Sequence, residues 1–339
     1  MTHQQHRSAI QAWSKTLYDF DLDAFRHATR ALFHAEAQIH LAHPLGSGVG
    51  PDFLVEKLLQ LQGSWPDLER RDYIRMAGRC GHDQDWCGAG GYYTGVSLAS
   101  WLDIPATGHQ IAMRFHEFFR FEDGRVVEMQ ALWDIPEVMM QAGAWPMAPQ
   151  LGKYWQAPAP ATQDGLIHGE WTEQGEASRQ LVYDMLNGLS KHSDGGVRAM
   201  GLEDYWHSKM NWYGPVGIGT NRGVQGFRHW HQKPFLKAMP DRGSIEEAIA
   251  LFGDGAYVGV TGWPNMRMTL SGDGFMGIAP SDKVITMKSL DFWRCEGDKI
   301  RENWVLVDLL DVYQQLGVDV FERMRECYPI PLNRGVLPG

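Results

Sequence analysis

The chain has 339 residues, of which 44% are apolar and 12% aromatic, enough to bury the cores of two domains of ordinary size. A net charge of −10 argues against a nucleic-acid partner, and the longest apolar stretches are broken by charge or glycine, which argues against a membrane span. The amino terminus is polar, and Cys80, Cys87, Cys295 and Cys327 show no zinc or redox spacing, so the expectation is a cytoplasmic protein with reduced thiols.

Residues 8–20 and 23–34 have helical periodicity. A short strand follows at 38–44, halted by Pro44, then a glycine-rich loop at 45–51 and a third helix at 53–61. From Tyr73 to Phe121 the chain reads as strands with glycine-rich turns. Phe118 to Gly143 closes this unit with a hairpin, an aspartate (Asp134) and a helix that stops at glycine.

The closing stretch occurs twice. Phe292 to Gly317 aligns with it without a gap at a spacing of 174, and nine of the 26 paired positions are identical. They are Phe118/Phe292, Arg120/Arg294, Glu122/Glu296, Glu128/Glu302, Leu132/Leu306, Asp134/Asp308, Val138/Val312, Gln141/Gln315 and Gly143/Gly317. Upstream, Met239-Pro240-Asp241 lies at the same spacing beyond Trp65-Pro66-Asp67. The expected organisation is therefore a first copy at 1–147, a Pro-rich linker at 148–176, a second copy at 177–328 and an irregular tail at 329–339. The linker is expected to lie across one domain. Each copy reads as an α+β cone, with three N-terminal helices on a curved, mostly antiparallel sheet around a closed-end pocket.

The order helix, helix, short strand, helix, long antiparallel strands resembles the nuclear transport factor 2-like, or cystatin-like, fold. Glu302-x-Trp304-x-x-x-Asp308 with Gln315-Leu316-Gly317, and Pro105-Ala-Thr107-Gly108 before the strand of Phe118, resemble the SnoaL-like polyketide cyclase family. The resemblance implies a general acid/base at Asp308, and at Asp134 in the first copy, working with a neighbouring histidine, of which His116 is the candidate. The second copy keeps the Glu-x-Trp-x-x-x-Asp pattern and is expected to be the active one; Gln130 stands in the first copy where Trp304 stands in the second.

Two readings of the aspartates stay open. An Asp facing an apolar pocket has its ionised form disfavoured and becomes a proton shuttle. As an N-cap, with Glu137 or Asp311 three residues on, it accepts backbone N–H bonds and is acidified. Trp304, Tyr213, Trp212, His229, Arg294, His40, His43 and His116 are the candidate substrate-binding residues. His229 and His231, two apart on a helix, point away from each other, so no metal site is expected; nor is any cofactor. The glycine-rich loops lack the lysine and hydroxyl residue of a phosphate loop, and HExxH is absent.

Three functions follow. One is a cofactor-free cyclase, isomerase or dehydratase acting on a small apolar or aromatic carbonyl compound. Another is a hydrophobic-ligand-binding or assembly module with both aspartates as caps. The third is an epoxide hydrolase using Asp291, Arg294 and Asp308, which the odd spacing of Asp291 and Arg294 counts against, because it puts them on opposite strand faces. The two copies are expected to pair as an intramolecular pseudo-dimer, or the chain as a homodimer.

Overall fold

The computed structural model describes residues 2–191 and 196–328; the expected tail at 329–339 lies outside the described residues. In the first copy, helices α1 (His3–Lys15), α2 (Leu22–Leu32) and α3 (Pro51–Ser64) precede most of the sheet. Thr2 forms a capping box with Gln5, and Asp21 caps α2, so two helix starts are set by local side chains. The sheet contains β1 (Phe33–Leu41), β2 (Ser47–Val49), β3 (Glu69–Arg79), β4 (Asp85–Val96), β5 (Gln110–Glu122) and β6 (Arg125–Trp133), in the order β2-β1-β6-β5-β4-β3. Only β1 and β6 run parallel. Helix α4 (Ile135–Gln141) closes the unit.

The second copy begins with α5 (Thr172–Ser190), five residues into what reads as linker, and the short α6 (Leu202–Tyr205). Strands β7 (Trp206–Tyr213) and β8 (Asn221–Arg222) follow. The third helix is split into α7 (Gly223–Phe227), a π turn (Arg228–Gln232) and α8 (Lys233–Ala238). Its main sheet is β10 (Ala250–Asp254), β11 (Tyr257–Thr261), β14 (Ser289–Glu296), β15 (Lys299–Val307), β7 and β8. A separate three-stranded sheet holds β9 (Gly243–Ser244), β12 (Met266–Thr269) and β13 (Val284–Met287). Helices α9 (Leu309–Gln315) and α10 (Val320–Cys327) end the described chain.

That extra sheet marks the main departure between the copies. In the first, β4 and β5 pair without interruption from Asp85↔Phe121 to Val96↔Gln110. In the second, β11 stops at Thr261, its last pair with β14 being Val260↔Asp291. Pro264 cannot donate to a ladder, and pairing resumes only at Met266↔Met287, in the other sheet. Asn265 bridges the break, donating from Nδ2 to the Ser289 carbonyl at 2.8 Å and accepting the Ser289 N–H at 3.0 Å.

The two sheets meet through the faces turned away from their own helices. Phe118 and Phe292 stack at 4.8 Å between ring centroids. A Cβ on Gly88 would lie 2.7 Å from the Phe292 ring, and one on Gly259 would lie 3.0 Å from the Phe118 ring, so both glycines admit the opposing ring. Other contacts come in matched pairs. His43 N–H donates to Asp308 Oδ2 at 3.0 Å, and Val216 N–H donates to Asp134 Oδ2 at 3.1 Å; His43 and Val216 occupy the same place after β1 and β7. Arg114 crosses to the carbonyls of Tyr213, Gly214 and Val305, and Arg7 of α1 forms a buried ion pair with Asp254.

The segment between the copies touches both, not one. Tyr92 Oη donates to the Ala157 carbonyl, Gly165 and Ile167 pair with the backbone of Arg75, and Trp304 Nε1 donates to the Pro158 carbonyl at 2.9 Å.

Candidate functional site

Residues alternate across a strand, so β5 and β14 each present one set inward to the helices and one outward to the opposite sheet. Phe118 and Phe292 fix the outward set. The inward set is Phe115, Glu117 and Phe119 in the first copy and Ser289, Asp291 and Trp293 in the second. Glu117 and Asp291 are equivalent by register, since Glu117 pairs with Ala89 and Ala131 as Asp291 pairs with Val260 and Val305. Each cone thus places one carboxyl at the same inner position.

In the first cone this carboxyl is saturated. Glu117 accepts from Arg70 Nη1 at 2.6 Å, Tyr93 Oη at 3.0 Å and Trp133 Nε1 at 2.9 Å. Arg70 also donates to Asp72 at 2.8 Å and lies against the Phe115 ring, 3.9 Å from its centroid. Phe33, Ile39, Leu58, Tyr93, Phe115, Glu117 and Phe119 are all completely buried. The interior around its acid holds buried rings and an internal ion pair.

In the second cone Asp291 accepts from Ser289 Oγ at 2.7 Å and has no ion pair among the described residues. It lies deep among protein atoms yet the residue keeps partial contact with solvent, and its pair with Val260 is the last between β11 and β14. Burial pushes its carboxyl up to about 7, against weaker opposing effects of the Ser289 hydrogen bond and the Arg114 charge. Around this inner face, Trp212 stacks on His231 at 4.3 Å, and His231 stacks on Phe235 at 5.6 Å. Burial lowers the His231 imidazole to about 3, so the ring is neutral at physiological pH. His231 sits in the π turn of the third helix; such turns are frequent at functional sites.

Among the expected residues, Trp212 lies on the inner face of the second cone. The others lie elsewhere. Asp308 receives the N–H of Asp311 at 3.3 Å as well as that of His43, so it caps α9 and bonds the other copy at once. Lys288 stands 3.5 Å from it, and burial nonetheless raises its carboxyl to about 6. Asp134 receives the Val216 N–H of the other copy, and the Glu137 N–H of its own helix acts on it more weakly; burial raises both it and Glu137 above the ordinary carboxyl range, and Asp134 raises Glu137 further. Trp304, Tyr213, Arg294 and His116 all occupy the contact between the sheets. Tyr213 Oη and Arg294 Nε both donate to Glu302, at 3.0 and 2.6 Å, and His116 Nδ1 is 2.6 Å from the Leu290 carbonyl. Burial lowers the His116 imidazole well below its ordinary value.

His40 bonds Ser47 at 2.9 Å and stacks on Trp263 of the second copy, while His43 rests near Phe321. Burial lowers both imidazoles. His229 is exposed on the outside of the third helix, with only its edge against Trp230, and the inward histidine is His231. Asp291 and Arg294 do fall on opposite faces, as their odd spacing requires. No group of three His, Cys, Asp or Glu able to hold a metal occurs among the described residues, and all four cysteines are free.

The sequence offered Asp291 only for epoxide hydrolysis, where the Arg294 spacing counted against it, although it is the 174-spaced partner of Glu117. An acid recurring at the same place inside two aromatic strands was the available signal.

The model of the SnoaL-like polyketide cyclase family matches residues 9–142 and again 197–316. Similar solved structures each align with less than half of this chain but with most of their own length. A candidate SnoaL-like polyketide cyclase from Jannaschia sp. CCS1 is 18% identical, covering 41% of this chain and 91% of its own, with a TM-score of 0.35. IdmH, a candidate polyketide cyclase from Streptomyces antibioticus, is 20% identical over 42% and 99%, TM-score 0.35. AclR, a candidate hydroxylase from Streptomyces galilaeus, is 16% identical over 44% and 87%, TM-score 0.36. No curated protein sequence matches the chain. With both copies matched over most of their lengths, the chain belongs to the SnoaL-like polyketide cyclase family.

Proposed function

We propose that the second cone performs general acid/base chemistry on a small apolar or aromatic carbonyl compound, with Asp291 as the proton-transferring group. One observation carries this reading: Asp291 is an inward carboxyl, on a half-buried residue, without an ion-pair partner among the described residues, and burial raises its proton affinity toward neutrality. A group with that affinity is balanced between base and acid at working pH. Its carboxylate takes the proton α to a carbonyl, leaving an enolate, and its carboxylic acid returns a proton to carbon. The same transfer serves cyclisation, isomerisation or dehydration. Asp308 and Asp134 are given structural parts instead, as acceptors for the opposite copy, and the first cone is given a supporting role. The contact between the sheets is read as an intramolecular pseudo-dimer.

The test is exchange of the α-protons of 1-tetralone for deuterium, followed by NMR. The wild type should accelerate exchange, with a rate that rises as pH passes through about 7. Asp291→Asn should lower it by about 10²–10⁴, and Asp308→Asn should leave it unchanged. Equal activity in Asp291→Asn and wild type would sink the proposal. A cone that binds the ketone without exchanging its protons would instead indicate a ligand-binding module.

A further inference from the structure

The inner face of the second cone carries polar ring atoms that nothing in the protein uses. Trp293 is 3% exposed and its Nε1–H has no protein partner; the same holds for Trp206 Nε1 and His231 Nδ1. Buried polar atoms without partners are rare in native proteins and call for a cause. Packing is not the cause at Trp293 or Trp206. Their register equivalents in the first cone, Phe119 and Phe33, fill the same places with no polar atom and are completely buried. In that cone the unpartnered nitrogens beside the sheet include Arg70 Nη2, whose guanidinium lies against aromatic faces, and His6 Nδ1, whose ring stacks on Phe121. Unpartnered indoles also occur at Trp101 and Trp145, but neither is in a main-sheet strand.

Trp293 differs from all of these by its neighbour. It lies two residues from Asp291 on the same face of β14, which puts the two side chains about 7 Å apart at their roots. A carbonyl compound whose α-carbon meets the Asp291 carboxyl extends its oxygen a few ångströms further along the strand. That oxygen becomes negative as the proton leaves, and an indole N–H is a donor with no competing acceptor role.

We infer that Trp293 Nε1 donates the hydrogen bond that holds the carbonyl oxygen of the ligand in the second cone, and so selects carbonyl compounds over hydrocarbons of the same shape. The inference rests on the reading of this cone as the site, and deepens it. Trp293 supplies the donor, Asp291 the proton transfer.

The experiment compares 1-tetralone with tetralin, its carbonyl-free analogue, on ¹⁵N-tryptophan-labelled protein. The ketone should move the assigned Trp293 indole N–H resonance downfield, and tetralin should not. Trp293→Phe installs the first cone's residue and should keep the melting temperature. It should weaken ketone binding about fivefold to tenfold while leaving tetralin binding unchanged. An unmoved indole resonance, equal weakening for both ligands, or no saturable ketone binding would each overturn the inference. A shifted resonance without α-proton exchange would leave the hydrogen bond standing and remove the proton-transfer reading. Exchange that depends on Asp291 but not on Trp293 would do the reverse.

Discussion

The two cones share a fold and a carboxyl at the same inner position, and differ in what surrounds it. Glu117 is closed in by Arg70, Tyr93 and Trp133, whereas Asp291 has one serine and a sheet that stops beside it. A buried acid that has its cation is an element of structure. One that lacks it holds its proton longer and can exchange it. The difference turns on whether strands continue past one point: β4 runs on to Val96 and covers Glu117, while β11 halts before Pro264.

This contrast can be broken by substitution. The largest effect should come from Glu117→Gln, which strands Arg70 in the first core. It should cost about 3–5 kcal/mol in urea unfolding at neutral pH, and a loss below 1 kcal/mol would mean that Arg70 is rescued by Asp72. Phe118→Ala and Phe292→Ala should each lose about 3–5 kcal/mol. The double variant should lose less than their sum, since the two rings face each other; strict additivity would contradict the stacked contact.

Asp291→Asn should have the opposite sign. An unfolded carboxyl ionises above its ordinary value, while this one keeps its proton to about 7, so the native state binds more protons between those limits. Native stability therefore falls as pH rises through that window and levels off above it. The variant should gain on wild type by an amount of order 1–4 kcal/mol between pH of about 4 and about 8. A pH-independent difference would place Asp291 in an ordinary solvated setting. The smallest effect is expected from Asp308→Ala, about 0.5–2 kcal/mol in the same unfolding measurement, with turnover intact. Loss of turnover without loss of stability would return the acid/base role to Asp308.

The fold was legible because the duplication writes each element twice. The third helix, the hairpin and the closing aspartate all recur at one spacing, and two reads of a weak pattern reinforce each other. Which side of each strand faces a cavity was not legible. Polar alternation normally marks the outer face, but β5 is buried from Ile111 to Phe119 because both of its faces are covered. With no wet side to orient by, Trp304, Tyr213, Arg294 and His116 read as pocket residues when they face the other copy. A shift of one residue reverses a strand's whole set. His231 was hidden differently: the π turn alters helical phase where it enters the core.

The positions at which the two closing hairpins remain identical follow from this geometry. Phe118, Arg120 and Glu122, and Glu128 and Leu132, share the outward parity with their counterparts, and the inner positions have diverged. In a dimer of one repeated chain, any change to a cavity is made in both cavities at once. Joining the copies in a single polypeptide separates the two requirements. The matching surfaces must keep fitting each other, but each interior can be altered alone. One interior could therefore close on an internal ion pair while its neighbour lost that pair, with no sacrifice of the contact that holds them together.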